Sequence, residues 1–273
     1  MIPRNSHSGP RPGQAHAMVE LTDKTVIVTG AAGGIGAACV RVFADAGAKV
    51  MMNDVDDAGY RLADEIGPDR CRFTAGDVSD EPSVRHLIEE TLEAFGSLDV
   101  LLNNAAVLLP VAPVHETTVE QFNTLMAVNV RGVFLCCKHA HSHLKKSRGC
   151  IVNISSMVGI CGEKHHAVYS ATKGAINALT MSMAVDYGQE GIRCNAICPS
   201  SVLTPNSDKI VQSSPNPEAT VELRKKINAI GFTADPGNIA SVALFLASPA
   251  SAFMTGAIVP VSGGCECGYG LKY

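Results

Sequence analysis

Thr25–Gly36, TVIVTGAAGGIG, is the stretch on which the reading of this chain turns. Its first five residues are β-branched and apolar, the pattern of a short strand buried on both faces in a parallel sheet. Four glycines follow, and helical periodicity begins at Gly34. Glycines between a strand and a helix let the backbone come close to a pyrophosphate, and the first helical N–H groups and the positive end of the helix dipole favour its charge. The spacing is T-G-x-x-x-G-x-G rather than G-x-G-x-x-G, and an ordinary tight turn is the plain alternative. Its place at the first strand-to-helix turn of an alternating chain favours nucleotide binding. Gly30, Gly33, Gly34, Ile35 and Gly36 are therefore candidate cofactor contacts.

The alternation continues outward from this loop. Strands are expected at Lys49–Asn53, Arg70–Ala75, Val100–Asn103, Cys150–Ser155, Ile192–Cys198 and Ala257–Val261. Helices are expected at Ala58–Ile66, Glu81–Phe95, Val119–Lys145, Ala167–Tyr187 and Gly237–Ala247. Regular strand–helix alternation implies an α/β fold, a Rossmann-like, doubly wound, seven-stranded parallel sheet with helices on both faces. Seven strands use the chain from about residue 21 to 264, which leaves a single domain. Residues 1–20 read as a disordered N-terminal tail and 265–273 as a C-terminal tail. Ser, Pro and Asn break the rhythm between Pro199 and Ala229, and residues 200–230 read as an irregular lid, because long irregular loops in compact domains are often functional.

Bulk properties narrow the function classes. A formal net charge of −4 gives no electrostatic footprint for nucleic acid or an anionic membrane. No apolar run is long enough to span a bilayer. Ten cysteines are scattered, mostly within apolar runs, where they act as small hydrophobes. No pair has zinc-site spacing, so no metal is expected, and a reducing, cytoplasmic setting is.

Four side chains suggest chemistry. Asp54 follows the second strand, where a carboxylate can accept both hydroxyl protons of an adenosine ribose and would repel a 2′-phosphate. That argues for NAD over NADP, although an Asp capping the next helix would look the same. Tyr169 and Lys173 are i and i+4 on one helix, and a nearby ammonium should lower the phenol pKa from its usual value of about 10. Ser156 ends a strand before that helix, at the edge where ligands of such sheets bind and where a hydroxyl can stabilise charge developing on a carbonyl oxygen. Y-x-x-x-K alone is common on helix surfaces, and the register with Ser156 and the glycine loop gives it weight. Asn129, inside the long helix, reads on its own as a solvent-facing polar position.

In TGAAGGIG at 29–36, Asp77-Val78, NNAA at 103–106, Asn129, Ser156 and YSATK at 169–173, the chain resembles the short-chain dehydrogenase/reductase family over residues 22 to 264. The resemblance implies a catalytic tetrad. Tyr169 would be the general acid and base, and Ser156 would orient the substrate oxygen. Lys173 would bind the nicotinamide ribose, and Asn129 would hold a water in a proton relay. It also implies cofactor contacts from Asp77, Val78, Asn104, Val202 and Thr204, and from Tyr169 and Lys173 themselves, with Tyr169 and Ser156 touching substrate. The expected activity is hydride transfer between NAD(H) and a secondary alcohol or ketone, in a homo-oligomer, tetramer or dimer. NADPH-linked ketone reduction and a non-catalytic NAD-binding regulator are the alternatives. An enoyl reductase would more often show wider Tyr–Lys spacing. Substrate walls are expected from Val107–Val111, Met157–His166 and the lid. The family usually has Gly where this chain has Ala106, Pro-Gly where it has Pro199-Ser200, and often Asp where it has Ser262.

Overall fold

The computed structural model describes residues 19–108 and 112–267. Most of the expected N-terminal tail, Leu109–Val111 of the expected substrate wall and the last six residues of the C-terminal tail lie outside the described residues.

Seven parallel strands form one sheet in the order β3-β2-β1-β4-β5-β6-β7. They are β1 (Thr25–Thr29), β2 (Lys49–Asp54), β3 (Cys71–Ala75), β4 (Val100–Asn103), β5 (Cys150–Ile154), β6 (Arg193–Pro199) and β7 (Ile258–Val261). β1 and β5 are buried at every position, as continuous apolar runs in a two-sided sheet must be. One face packs against α1 (Gly34–Asp45) and α9 (Pro236–Ala247), with Phe43 and Leu246 fully buried between them. The other face is covered by α3 (Glu81–Phe95), α5 (Gly132–Ser147) and α6 (Ala167–Gly188), around Leu87, Leu144 and Ile176. α2 (Ala58–Ile66) packs beside β3. Strand order reverses between β1 and β4, which opens a crevice at their carboxyl ends.

Local chemistry sets the helix starts. Asp80 accepts from the Ser83 N–H ahead of α3, with Pro82 in the first turn. Asp235 caps α9 in the same way, followed by Pro236. Each such cap is worth about 1 kcal/mol.

Two segments differ from expectation. Val119–Lys145, read as one helix, is α4 (Val119–Met126), a π turn at Ala127–Arg131, and α5. Single π turns inside helices frequently mark functional positions, and Asn129 sits within this one. The stretch read as an irregular lid contains α7 (Pro205–Gln212) and α8 (Pro217–Lys226). Neither helix buries a residue fully, so neither carries the apolar stripe that reveals a helix. Their starts were nevertheless written in the sequence, as Thr204-Pro205 and Asn216-Pro217, each a capping side chain followed by proline.

Candidate active site

Two adjoining cavities occupy the crevice. The first, of about 530 Å³, runs from Asp54, Asp77 and Val78 past Gly30, Gly33 and Gly34 to Asn104. The second, of about 590 Å³, is lined by Ser156, Tyr169, Lys173 and the lid. Ile35, Asn104, Val107 and Thr204 line both, so the two form one continuous groove. The structure thus gathers on one groove every catalytic and cofactor-binding residue expected from sequence except Gly36 and Asn129. Of the expected substrate walls, Val107, Leu108, Met157, Val158, Cys161, Gly162, Glu163 and His166 line it, whereas Gly159, Ile160, Lys164 and His165 do not.

The glycine turn is held from beneath. Gly30 has φ +63°, and a Cβ there would meet Ala105 at 2.7 Å. A Cβ on Gly36 would stand 2.0 Å from the Gly30 carbonyl oxygen. Gly33 is different: nothing lies within 4 Å of where its Cβ would be. Two of these glycines therefore let chain segments touch, and the third leaves open space over a helix N-terminus, which fits a dinucleotide pyrophosphate. Asn104, implied as a ribose contact, also anchors this turn. Its amide donates to the Thr29 and Gly30 carbonyls, at 3.0 and 2.8 Å.

Asp54 is fixed where β2 ends. One carboxylate oxygen accepts from the Ala32 N–H at 2.9 Å and the other from the Asp56 N–H at 3.1 Å. A carboxylate has about four lone-pair sites, so both oxygens can still accept from ribose hydroxyls. Asp77 caps its own turn through the Ser79 N–H. Val78 is buried against Gly132, where a Cβ would come within 2.7 Å of it. Val202 pairs with Ala234 in an isolated bridge, and Thr204 caps α7. The Thr204 methyl would lie 3.2 Å from a Cβ on Gly34, so the lid starts directly against the glycine turn.

At the reacting end, Lys173 is 3 % exposed and its ammonium donates to the Ile154 carbonyl at 2.9 Å. The same nitrogen is 5.6 Å from the centre of the Tyr169 ring. Desolvation brings the lysine pKa down to about 8. It pushes the tyrosine up to about 12, with the Glu163 charge adding to the rise. The expectation that the lysine would lower the phenol pKa is therefore corrected for the free protein. Burial outweighs an ammonium that is turned towards Ile154. Ser156 ends the β5 edge, and its hydroxyl accepts from the Val158 N–H at 3.3 Å.

Asn129 is 1 % exposed, not solvent-facing. Its amide oxygen accepts from the Val107 N–H at 2.8 Å, and its NH₂ donates to the Val107 carbonyl and to the Thr172 hydroxyl. Thr172 in turn donates to the Tyr169 carbonyl at 2.7 Å. Sequence reasoning missed Thr172, although it sits inside YSATK, because a buried threonine gives no periodic signal. It also missed Ser155, whose hydroxyl donates to the Lys173 carbonyl at 3.1 Å and pins the helix to β5.

The three departures from the family pattern have local explanations. Ala106 has no positive φ, so it needs no glycine. Ser200 donates to the Asn228 side chain at 3.0 Å and ties the end of β6 to the end of the lid. Ser262 bonds to Glu266 and holds the short turn at Cys265–Cys267. The wall loop carries its own strain, because His165 has φ +65°. All ten cysteines are free, and burial pushes the thiols of Cys39, Cys71 and Cys137 up to about 12. Among the described residues, no helix is long and apolar enough to cross a membrane.

A family model described as enoyl-(acyl carrier protein) reductase matches residues 30–266. The L-fucose dehydrogenase of Mus musculus is 41 % identical over 257 residues, covering 94 % of this chain and 93 % of the relative. The meso-2,3-butanediol dehydrogenase of Serratia marcescens is 38 % identical over 256 residues, covering 92 % of this chain and 98 % of the relative. The crystal structure of levodione reductase superposes with a TM-score of 0.87 at 32 % identity, covering 92 % of this chain and 100 % of that one. These likenesses span nearly the whole chain, and by them it belongs to the short-chain dehydrogenase/reductase family of oxidoreductases.

Proposed function

We propose that this protein is an NAD(H)-dependent dehydrogenase that interconverts a secondary alcohol and a ketone. The observation that carries the reading is the continuity of the groove. The phenol and hydroxyl of Tyr169 and Ser156 line one end, and the carboxylate of Asp54 lines the other. A bound nicotinamide dinucleotide would supply or accept the hydride. The protein's own part is to orient the substrate and move a proton. With its pKa raised, Tyr169 holds its proton at neutral pH and is ready to donate it to a carbonyl oxygen. Ser156 offers a second hydrogen bond to that oxygen as charge builds on it. In the oxidative direction the phenolate form is needed, and Lys173 is the nearby cation that favours it once it turns from Ile154 towards the ribose and ring. Asn129 acts as a positioning residue through Val107 and Thr172, and a relay through bound water would pass beside it to Lys173.

The choice of NAD rests on charge. Two carboxylates, Asp54 and Asp77, line the nucleotide end, and Lys209 of the lid is the one cation among its described lining residues. A 2′-phosphate would meet mainly negative charge there. Asp54→Ala should shift the ratio of kcat/KM for NAD⁺ over NADP⁺ towards NADP⁺ by about ten-fold, equivalent to about 1.4 kcal/mol. An unchanged ratio removes Asp54 from that role. The activity itself is tested by following absorbance at the reduced-nicotinamide band across a panel of secondary alcohols with each dinucleotide. No signal from any alcohol would refute the reading.

The homo-oligomer is proposed on the outer face of the α4–α6 helices. Phe134, Met181 and Val185 are exposed there, Val185 by 79 %, beside a groove formed by Met126, Val130 and Leu179. Such a patch on adjacent helices fits a second copy of the chain packed helix to helix. Light scattering should give at least twice the 28.6 kDa chain mass, and Phe134→Glu with Val185→Glu should halve it. A monomeric wild type would end this proposal.

A further inference from the structure

Beyond the reacting residues, the substrate cavity holds one carboxylate and one guanidinium on different walls. Glu163 comes from the loop after β5, and Arg224 from α8 of the lid. Among the described residues, Arg224 has no carboxylate within 4 Å, and its hydrogen bond is a single one, to the Ser207 carbonyl at 3.1 Å. The Glu163 side chain accepts no hydrogen bond from any described residue, and the nearest basic side chain is the His166 imidazole, at 4.0 Å. Both groups therefore face the cavity with hydrogen-bonding capacity that the protein itself leaves open. Val107, Met157, Val202, Ile210 and Ile227 supply apolar surface around them.

We propose that Glu163 and Arg224 form a hydroxyl-reading subsite, which makes the preferred substrate a neutral, polyhydroxylated ring compound. The proposal rests on the dehydrogenase reading above. A purely hydrocarbon alcohol would lie against the exposed Glu163 carboxylate and the partly buried Arg224 guanidinium and displace water from them without bonding to either. An anionic substrate would gain Arg224 and be repelled by Glu163, and a cationic one would meet the reverse. A hydroxyl group can donate to the carboxylate and accept from the guanidinium, so a neutral polyol satisfies both. Sites built to bond a hydroxyl discriminate strongly against analogues that lack it.

Glu163 has a second consequence. Its charge is one of the causes that raise the Tyr169 pKa, and it also stabilises the charged form of Arg224. The titratable groups around Tyr169 in this cavity are Glu163, His166, Lys173, Arg224 and the thiols of Cys161 and Cys265. Of these, Glu163 alone is a carboxylate. Removing its charge should therefore move the alkaline rise of alcohol oxidation to lower pH.

The test measures kcat/KM for cyclohexanol, cis-1,2-cyclohexanediol and an aldopyranose, each at the plateau of its pH profile. The wild type should favour the aldopyranose over cyclohexanol by about 10²-fold, within the range that unpaired polar groups produce. Glu163→Gln and Arg224→Gln should each reduce that preference by about ten-fold, and Arg224→Lys should restore part of it. Glu163→Gln should also shift the oxidation limb to lower pH. Equal use of cyclohexanol and aldopyranose by the wild type, or equal losses on both substrates in the variants, overturns the subsite and leaves the dehydrogenase reading standing. If no alcohol reduces the dinucleotide, the dehydrogenase reading fails first and the subsite with it.

Discussion

Replacing Tyr169 with phenylalanine should cut turnover by about 10²-fold or more, the usual scale of lost acid–base catalysis. Binding of NADH, followed by nicotinamide fluorescence, should change little. The ring lies in a wall shared by the substrate cavity, and phenylalanine keeps that wall. Only the phenolic hydroxyl is lost. The pH behaviour of the wild type follows from the same group. With the tyrosine pushed up to about 12, ketone reduction draws on a phenol that stays protonated across neutral pH. Alcohol oxidation needs the phenolate, so its rate should climb as pH rises. A Tyr169→Phe enzyme with near-normal turnover in either direction would remove Tyr169 from the chemistry.

Gly36→Ala carries the next largest effect, and here the cause is steric. The new Cβ would stand 2.0 Å from the Gly30 carbonyl oxygen and 2.7 Å from the Asn104 amide nitrogen. Neither can yield easily, because Asn104 is the brace that holds the Thr29 and Gly30 carbonyls. Overpacking of this kind costs about 1–3 kcal/mol or more. The melting temperature should fall, and the Kd for NADH should rise by about ten-fold or more, the equivalent of 1.4 kcal/mol. Gly33→Ala provides the contrast. Gly33 has an extended φ of −160° and empty space around it, so alanine there should leave the melting temperature unchanged. It should still weaken dinucleotide binding, because the methyl enters the groove. Wild-type stability and affinity in Gly36→Ala would show that the turn is looser than its contacts imply.

The two glycines show how far the sequence could be read. Both belong to one motif, and their spacing alone located the turn, the strand before it and the helix after it. It could not say that Gly36 permits a backbone contact whereas Gly33 keeps a groove open. That difference depends on how the turn folds Gly30 back against Gly36 and on Asn104, which arrives from the end of β4. Asn129 makes the same point more sharply. Read alone, a polar residue in a helix faces water. Its burial depends on a π turn that rotates it towards Val107 and Thr172, and local periodicity does not encode such a turn. The lid helices were hidden for the opposite reason. Partly exposed and lacking an apolar stripe, they are signalled only by their caps, Thr204-Pro205 and Asn216-Pro217, against a composition that reads as loop.

By itself the sequence determined the seven-strand alternation, the single domain, and the placing of Tyr169, Lys173, Ser156 and Asp54 at one end of the sheet. Those features are local or periodic, and the hydrophobic pattern of each segment carries them. The tertiary structure alone decided the electrostatics and the shape of the site. It set Lys173 against the Ile154 carbonyl, raised the tyrosine pKa where a lowered one was expected, and brought Glu163 and Arg224 into one cavity from segments about sixty residues apart. Desolvation and long-range juxtaposition depend on what the whole chain packs around a group, and no window of neighbouring residues contains that information.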